Sequence, residues 1–145
     1  MPRVYVSSVI DAPVERVWER VRDFNGMPNW HPGIRESRIE NAEPPDRIGC
    51  VRDFRLQNGD RLREKLLGLS DYDYFQTYAI LESPMPLTDY VATLRLTPVT
   101  DGPRTFIEWS AEFECADDEA ESLVNGIGGN VFQAGFDALK RRMGG

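Results

Sequence analysis

The side chains equipped for chemistry are few. The chain holds one histidine, His31, flanked by Trp30 and Pro32. An imidazole has an unperturbed pKa of about 6.5, so His31 is a candidate acid or base at neutral pH. Packing on Trp30, or capping the short turn that carries it, would use the same residue without any proton transfer. A second constellation pairs Arg52 with Glu64, the other candidate catalytic residue. Both fall on the strand face that carries Phe54, Leu62 and Leu66, and inward charges persist only when paired and hydrogen-bonded. As a functional pair, Arg52 would hold a carboxylate, phenolate or carbonyl oxygen while Glu64 orients it or exchanges a proton. As a structural pair, the two simply neutralise each other at the end of a sheet. Tyr78 and Tyr90 offer phenolic hydrogen bonds on otherwise apolar walls. Trp30, Phe54, Trp109 and Val131 complete the candidate ligand walls, with core packing the alternative for the aromatics.

Other chemistries have little to build with. A single histidine leaves no zinc site and no Ser-His-Asp triad, and no metal is expected. Cys50 and Cys115 have no ligand spacing, no companion cluster and no activating neighbour, so free thiols are expected and no nucleophile. Gly126-Ile127-Gly128-Gly129 follows an acidic helical run instead of a strand, and fails the dinucleotide pattern. No cofactor is expected.

Composition narrows the partners. The 145 residues include 24 acidic against 17 basic side chains, a net charge of −7. That balance opposes binding to nucleic acid or to an anionic membrane, since both need an electropositive face. With 41% hydrophobic and 10% aromatic residues there is enough for a core. The apolar runs are too short to span a membrane, and the first residues lack a signal peptide's apolar stretch. The expectation is one cytoplasmic domain over residues 1–145, as a monomer or homodimer, without membrane insertion.

These residues need elements to position them. A β-rich strand is expected at 4–10, followed by a helix with Pro13 at its first position and Val14, Val17, Trp18, Val21 and Phe24 on one face. Asn25-Gly26 ends it, and a short helical turn at 28–32 carries Trp30 and His31. Six antiparallel strands follow at 34–39, 49–56, 60–69, 72–81, 90–98 and 105–115. Between the second and third of these, Gln57-Asn58-Gly59 reads as a type I turn plus a left-handed glycine. That register sets Phe54 opposite Leu62 and Arg52 opposite Glu64; a two-residue turn would mix the faces. Tyr74, Gln76, Tyr78 and Ile80 share a face. Ile107, Trp109, Ala111 and Phe113 oppose Glu108, Ser110, Glu112 and Glu114 in the clearest alternation. Pro84-Met85-Pro86 is either a lid segment or a rigid turn. A long helix at 118–142 closes the chain, with Asp118 and Glu121 as a capping box. Gly126, Gly128 and Gly129 inside it each cost about 1 kcal/mol relative to alanine, so they either break the helix or make room beside it.

An antiparallel sheet has an apolar face to cover, and only the last helix is long enough to cover it. Small residues between them (Gly128, Gly129, Gly135 and Ala138 on the helix, Ala92 and Ala111 on the sheet) would leave a ligand-sized space. The order of elements resembles a known family. So do Asp-Ala-Pro-Val-Glu-Arg-Val-Trp at 11–18, Trp30-His31-Pro32, Asn58-Gly59, Tyr90-Val91-Ala92-Thr93-Leu94, Glu108-Trp109-Ser110-Ala111 and Gln133-Ala134-Gly135-Phe136-Asp137-Ala138-Leu139. This is the polyketide cyclase/dehydrase-like branch of the SRPBCC (START-like, helix-grip) superfamily. The resemblance implies an α+β helix-grip fold, with a seven-stranded curved antiparallel sheet around a long C-terminal helix. It also implies binding of a small hydrophobic molecule, aromatic or polyketide-like. The superfamily spans carriers, receptors, cyclases and oxygenase domains, so fold alone does not name a reaction. The cysteine- and histidine-bound iron-sulfur domain of the oxygenase members has no counterpart here. The expected function is ligand binding at His31, Arg52, Glu64 and the aromatic walls. A cyclase, dehydrase or lyase using His31 and Glu64 is the first alternative, and a protein-interaction module with an incidental cavity is the second.

Overall fold

The computed structural model describes residues 1–143; residues 144 and 145 of the expected domain lie outside the described residues. Seven strands form one antiparallel sheet: β1 Arg3–Ile10, β2 Ile34–Ile39, β3 Val51–Leu56, β4 Arg61–Ser70, β5 Phe75–Glu82, β6 Leu87–Pro98 and β7 Thr105–Cys115. Their spatial order is β1-β7-β6-β5-β4-β3-β2, so only the β1–β7 pair joins strands distant in sequence. Helix α1, Val14–Val21, follows β1, and a short 3₁₀ turn, Met27–Asn29, leads to β2. The C-terminal helix runs through α2 Ala120–Gly126, a π-helical segment Ile127–Gln133 and α3 Ala134–Met143. A curved sheet closed on one long helix is the helix-grip arrangement. No helix among the described residues is long and apolar enough to cross a membrane.

The core lies between the sheet's inner face and that helix. On β7 the period-2 pattern holds throughout, with Ile107, Trp109, Ala111 and Phe113 buried while Glu108, Glu112 and Glu114 point outward. Leu123, Ile127, Phe132, Phe136 and Leu139 answer from the helix. On α1, Val14, Val17, Trp18 and Val21 are buried, and the Trp18 Nε1–H donates to Asp71 Oδ1 at 2.8 Å. That bond ties α1 to the β4–β5 turn.

The β3–β4 hairpin has the expected register: Phe54 pairs with Leu62 and Arg52 with Glu64. Gly59 sits at φ +94°, the left-handed conformation that a three-residue loop requires. Elsewhere the limits shift for local reasons. Pro13 is the N-cap of α1, one residue before the expected position, and α1 ends at Val21, short of Phe24. β5 starts only at Phe75, because Tyr74 has φ +58° in the turn at 71–74. β6 starts earlier than expected, at Leu87, and absorbs Asp89 (φ +55°) in an irregularity between Thr88 and Val91.

The start of the last helix is a correction. Asp117–Glu119 form a 3₁₀ turn, Glu119 becomes the N-cap of α2, and no side-chain cap forms. Asp118 is therefore inside the turn, out of position for a capping box with Glu121. The three glycines do not break the helix. The backbone around them widens to π geometry over Ile127–Gln133, a form uncommon outside single turns.

Candidate functional site

Where the helix widens, a cavity of about 360 Å³ opens between it and the sheet. The β3–β4 hairpin supplies Phe54, Leu62 and Glu64; β5 and β6 supply Tyr78, Ile80 and Tyr90. The helix contributes Ile127, Asn130 and Val131, the segment before β2 contributes Met27 and His31, and β2 itself contributes Ile34. Asn58, Asp60, Pro84 and Met85 come from the two hairpin loops that flank it. The wall is mostly hydrocarbon with a few polar groups, the usual make-up of a small-molecule site.

Six of the residues singled out from the sequence line this space: His31, Phe54, Glu64, Tyr78, Tyr90 and Val131. Trp30, Arg52 and Trp109 do not; all three are buried behind the wall. Trp109 stacks on Phe132 with centroids 4.5 Å apart, and its Nε1–H donates to the Tyr78 hydroxyl at 3.0 Å. Trp30 packs against His31 and Trp109, with its indole nitrogen sealed and unpartnered. The small residue Gly135 makes room for this cluster. A Cβ there would stand 3.1 Å from Trp30, His31 and Trp109 alike. Gly135 thus admits rings instead of enlarging the cavity.

His31 is held at both nitrogens. Nε2 lies 2.7 Å from the Val131 carbonyl, which can only accept, so Nε2 carries the proton. Nδ1 accepts the Gly33 N–H at 3.0 Å. Burial pushes the imidazole below its usual pKa, against the opposing pull of the Val131 carbonyl. The ring is thus a neutral bridge between the short turn and the π-helical segment, with no nitrogen left over for a substrate.

Arg52 is held from several sides. Its Nη1 donates to the Phe24 carbonyl at 3.0 Å, and its guanidinium carbon lies 4.0 Å from the Phe24 ring centroid and 4.8 Å from that of Tyr78. Its Nε lies 2.9 Å from Glu64 Oε1, and Nη2 is 2.7 Å from the same oxygen. The Nη2 contact has the distance of an ion pair without hydrogen-bond alignment. Burial pushes the Glu64 carboxyl up from the usual range, while Arg52 draws it back. Burial likewise raises both Tyr78 and Tyr90, so their phenols stay protonated. Cys50 and Cys115 are unpaired and lie away from this wall.

Met27, Ile34, Leu56, Ile127 and Asn130 line the wall without having been expected there, while Pro84 and Met85 belong to the loop expected as a lid segment or a rigid turn. Leu62 and Ile80 carried a usable signal, since they share faces with Phe54 and Tyr78. Ile127 belongs to the helix's apolar stripe. Nothing local marks Met27 or Asn130.

Comparison with known proteins agrees with this architecture. The family described as polyketide cyclase/dehydrase and lipid transport matches residues 1–144, and the chain belongs to it. A Thermobifida fusca protein solved by solution NMR is 30% identical with a TM-score of 0.90, the match covering 99% of this chain and 94% of that one. The protein XoxI from Bacillus cereus is 28% identical with a TM-score of 0.89, over 99% of this chain and 96% of that one. A Nitrosospira multiformis protein is 30% identical with a TM-score of 0.83, over 98% and 96% of the two chains. No curated protein matches the chain.

Proposed function

We propose that this chain is a cytoplasmic binding protein for a small, mainly apolar molecule, aromatic or polyketide-like, held in the cavity between the sheet and the π-helical segment. The observation that carries this reading is the cavity itself: about 360 Å³, walled by Phe54, Leu62, Ile80, Ile127 and Val131, with a buried carboxylate at one point. Family membership supports a hydrophobic-ligand fold. Trp30, Arg52 and Trp109 act in this reading as the rigid backing that holds the wall.

Two tryptophan substitutions test it. Ile80→Trp places a large side chain in the cavity. Leu81→Trp, at a half-exposed neighbouring position that does not line it, is the control. Native mass spectrometry, with extraction of whatever co-purifies, should find a bound small molecule in the unaltered chain and in Leu81→Trp, and none in Ile80→Trp. Equal occupancy in both variants would refute the location.

A second reading, a cyclase- or dehydrase-type enzyme, draws on the raised pKa of Glu64 and its place on the wall. Glu64 would then move the proton, and His31, engaged at both nitrogens, would only position the helix. Glu64→Gln would abolish turnover in that case, and His31→Gln would not.

A further inference from the structure

The buried ion pair is lopsided in a way that selects among ligands. Both contacts from Arg52, Nε at 2.9 Å and Nη2 at 2.7 Å, fall on one oxygen of Glu64, Oε1. The other oxygen, Oε2, has no hydrogen-bond donor among the described residues. It is also not one of the sealed, unpartnered atoms, which are Trp30 Nε1 and Arg52 Nη2. Glu64 is only 5% exposed, and it lines the cavity.

Charge reinforces the geometry. Two charged side chains line the cavity, Glu64 and Asp60, and both are acidic. Arg52 stands behind Glu64, with its bonded donors turned to Glu64 and the Phe24 carbonyl. An anion entering the cavity would therefore find no cationic side chain on its wall, only neutral donors such as Tyr78, Tyr90 and Asn130 beside two carboxyl groups. In a poorly solvated space repulsion by those carboxyl groups is little screened. A carboxylate lone pair left without a donor is costly, whereas a hydroxyl or amine brought to it forms a charge-assisted hydrogen bond.

Resting on the ligand-binding reading above, we propose that the cavity takes an amphiphile whose polar end is a hydrogen-bond donor, an alcohol, phenol or amine delivered to Glu64 Oε2, and that it rejects carboxylate-ended molecules such as free fatty acids. The selectivity comes from this chain's own pairing of Arg52 with a single Glu64 oxygen. An arginine facing the cavity would select the opposite class.

The test is calorimetric titration of the intact protein with three probes of one shape: naphthalenemethanol, methylnaphthalene and naphthoate. A hydrogen bond to a charged group corresponds to a gain of about 10- to 100-fold in affinity, so the alcohol should exceed methylnaphthalene by that factor and naphthoate should be weakest. In Glu64→Gln the amide oxygen is expected to keep facing Arg52, which turns the amide NH₂ into the cavity. The alcohol's advantage should then shrink, and naphthoate should gain affinity. Equal affinities for alcohol and methylnaphthalene, or naphthoate binding as tightly as the alcohol, would overturn the donor assignment while leaving a ligand cavity in place. No heat with any probe, methylnaphthalene included, would overturn the ligand-binding reading and this assignment together. The comparison on the unaltered chain decides the matter even where Glu64→Gln folds poorly.

Discussion

Replacing Gly135 with alanine adds one methyl group where three rings converge. The new Cβ would stand 3.1 Å from Trp30 Cζ3, from Trp109 Cζ3 and from His31 Cδ2. Relaxed carbon–carbon contacts lie at about 3.5–4.0 Å, so each ring would have to withdraw by roughly half an ångström. None is free to do so. His31 is pinned at both nitrogens, and Trp109 is stacked on Phe132 and bonded to Tyr78. Trp30 packs against both of the others. Overpacking of this kind costs about 1–3 kcal/mol, whereas glycine to alanine in a helix returns about 1 kcal/mol of propensity. Gly126 supplies the control, because a Cβ there meets nothing within 4 Å. The propensity gain is common to both helical sites, so the difference between Gly126→Ala and Gly135→Ala isolates the crowding. Gly126→Ala should be stabilised by up to about 1 kcal/mol, and Gly135→Ala should lie about 1–3 kcal/mol below it. In a chain of this size each kcal/mol corresponds to about 3 °C in Tm. Urea and thermal unfolding followed by far-ultraviolet circular dichroism would measure it. If Gly135→Ala is as stable as Gly126→Ala, the claim that the ring cluster is rigid is wrong.

Arg52→Met should cost about 3–5 kcal/mol, because it leaves Glu64 buried with no counter-charge, while Arg52→Met combined with Glu64→Met should recover much of that loss. Denaturant titrations of the single and double variants would show it, and a double variant no more stable than the single one would argue against the electrostatic coupling. The pH dependence of stability should carry the mark of His31. Its folded pKa is depressed, so below about 6.5 the unfolded chain takes up a proton that the folded one refuses. That contribution is fully present above pH 6.5 or so and is lost as the pH falls toward the folded pKa. Glu64, with its raised folded pKa, acts with the opposite sign, favouring the folded state at low pH and losing that contribution as the pH rises through its folded pKa. The informative quantity is therefore the slope of wild type minus His31→Gln between about pH 7 and pH 5. It should be positive with rising pH, and a zero difference would contradict a buried neutral imidazole.

Much of the site's framework was legible because it rests on local rules. The alternation in β7 reads off its limits and its buried face directly. The turn chemistry of Gln57-Asn58-Gly59 determines which residues of β3 and β4 oppose each other, and with that the inward pairing of Arg52 with Glu64. Where two local rules compete, the pattern misleads. Tyr74 obeys the alternation of β5 yet adopts a positive φ in the preceding turn, and the 3₁₀ turn at Asp117–Glu119 displaces the capping box that Asp118 and Glu121 spell out. The glycines of the last helix carried a real signal whose meaning lay beyond sequence: they accompany a π-helical widening instead of a break.

From the amino-acid order alone came the strands, their faces, the long covering helix and the resemblance to the family. The strands, faces and helix follow from periodicity and turn chemistry within a few residues, whereas the resemblance rests on whole motifs such as Trp30-His31-Pro32 and Glu108-Trp109-Ser110-Ala111. The order could not say which inward side chains border empty space and which fill it. Trp109 and Tyr78 face the same way from β7 and β5, on either side of β6, yet one is buried under Phe132 and the other lines the cavity. The single histidine becomes a fixed strut only because Val131, a hundred residues on, offers its carbonyl at 2.7 Å. A cavity is a difference between the volume enclosed by distant elements and the volume of the side chains inside it. That difference exists only once the elements have packed together.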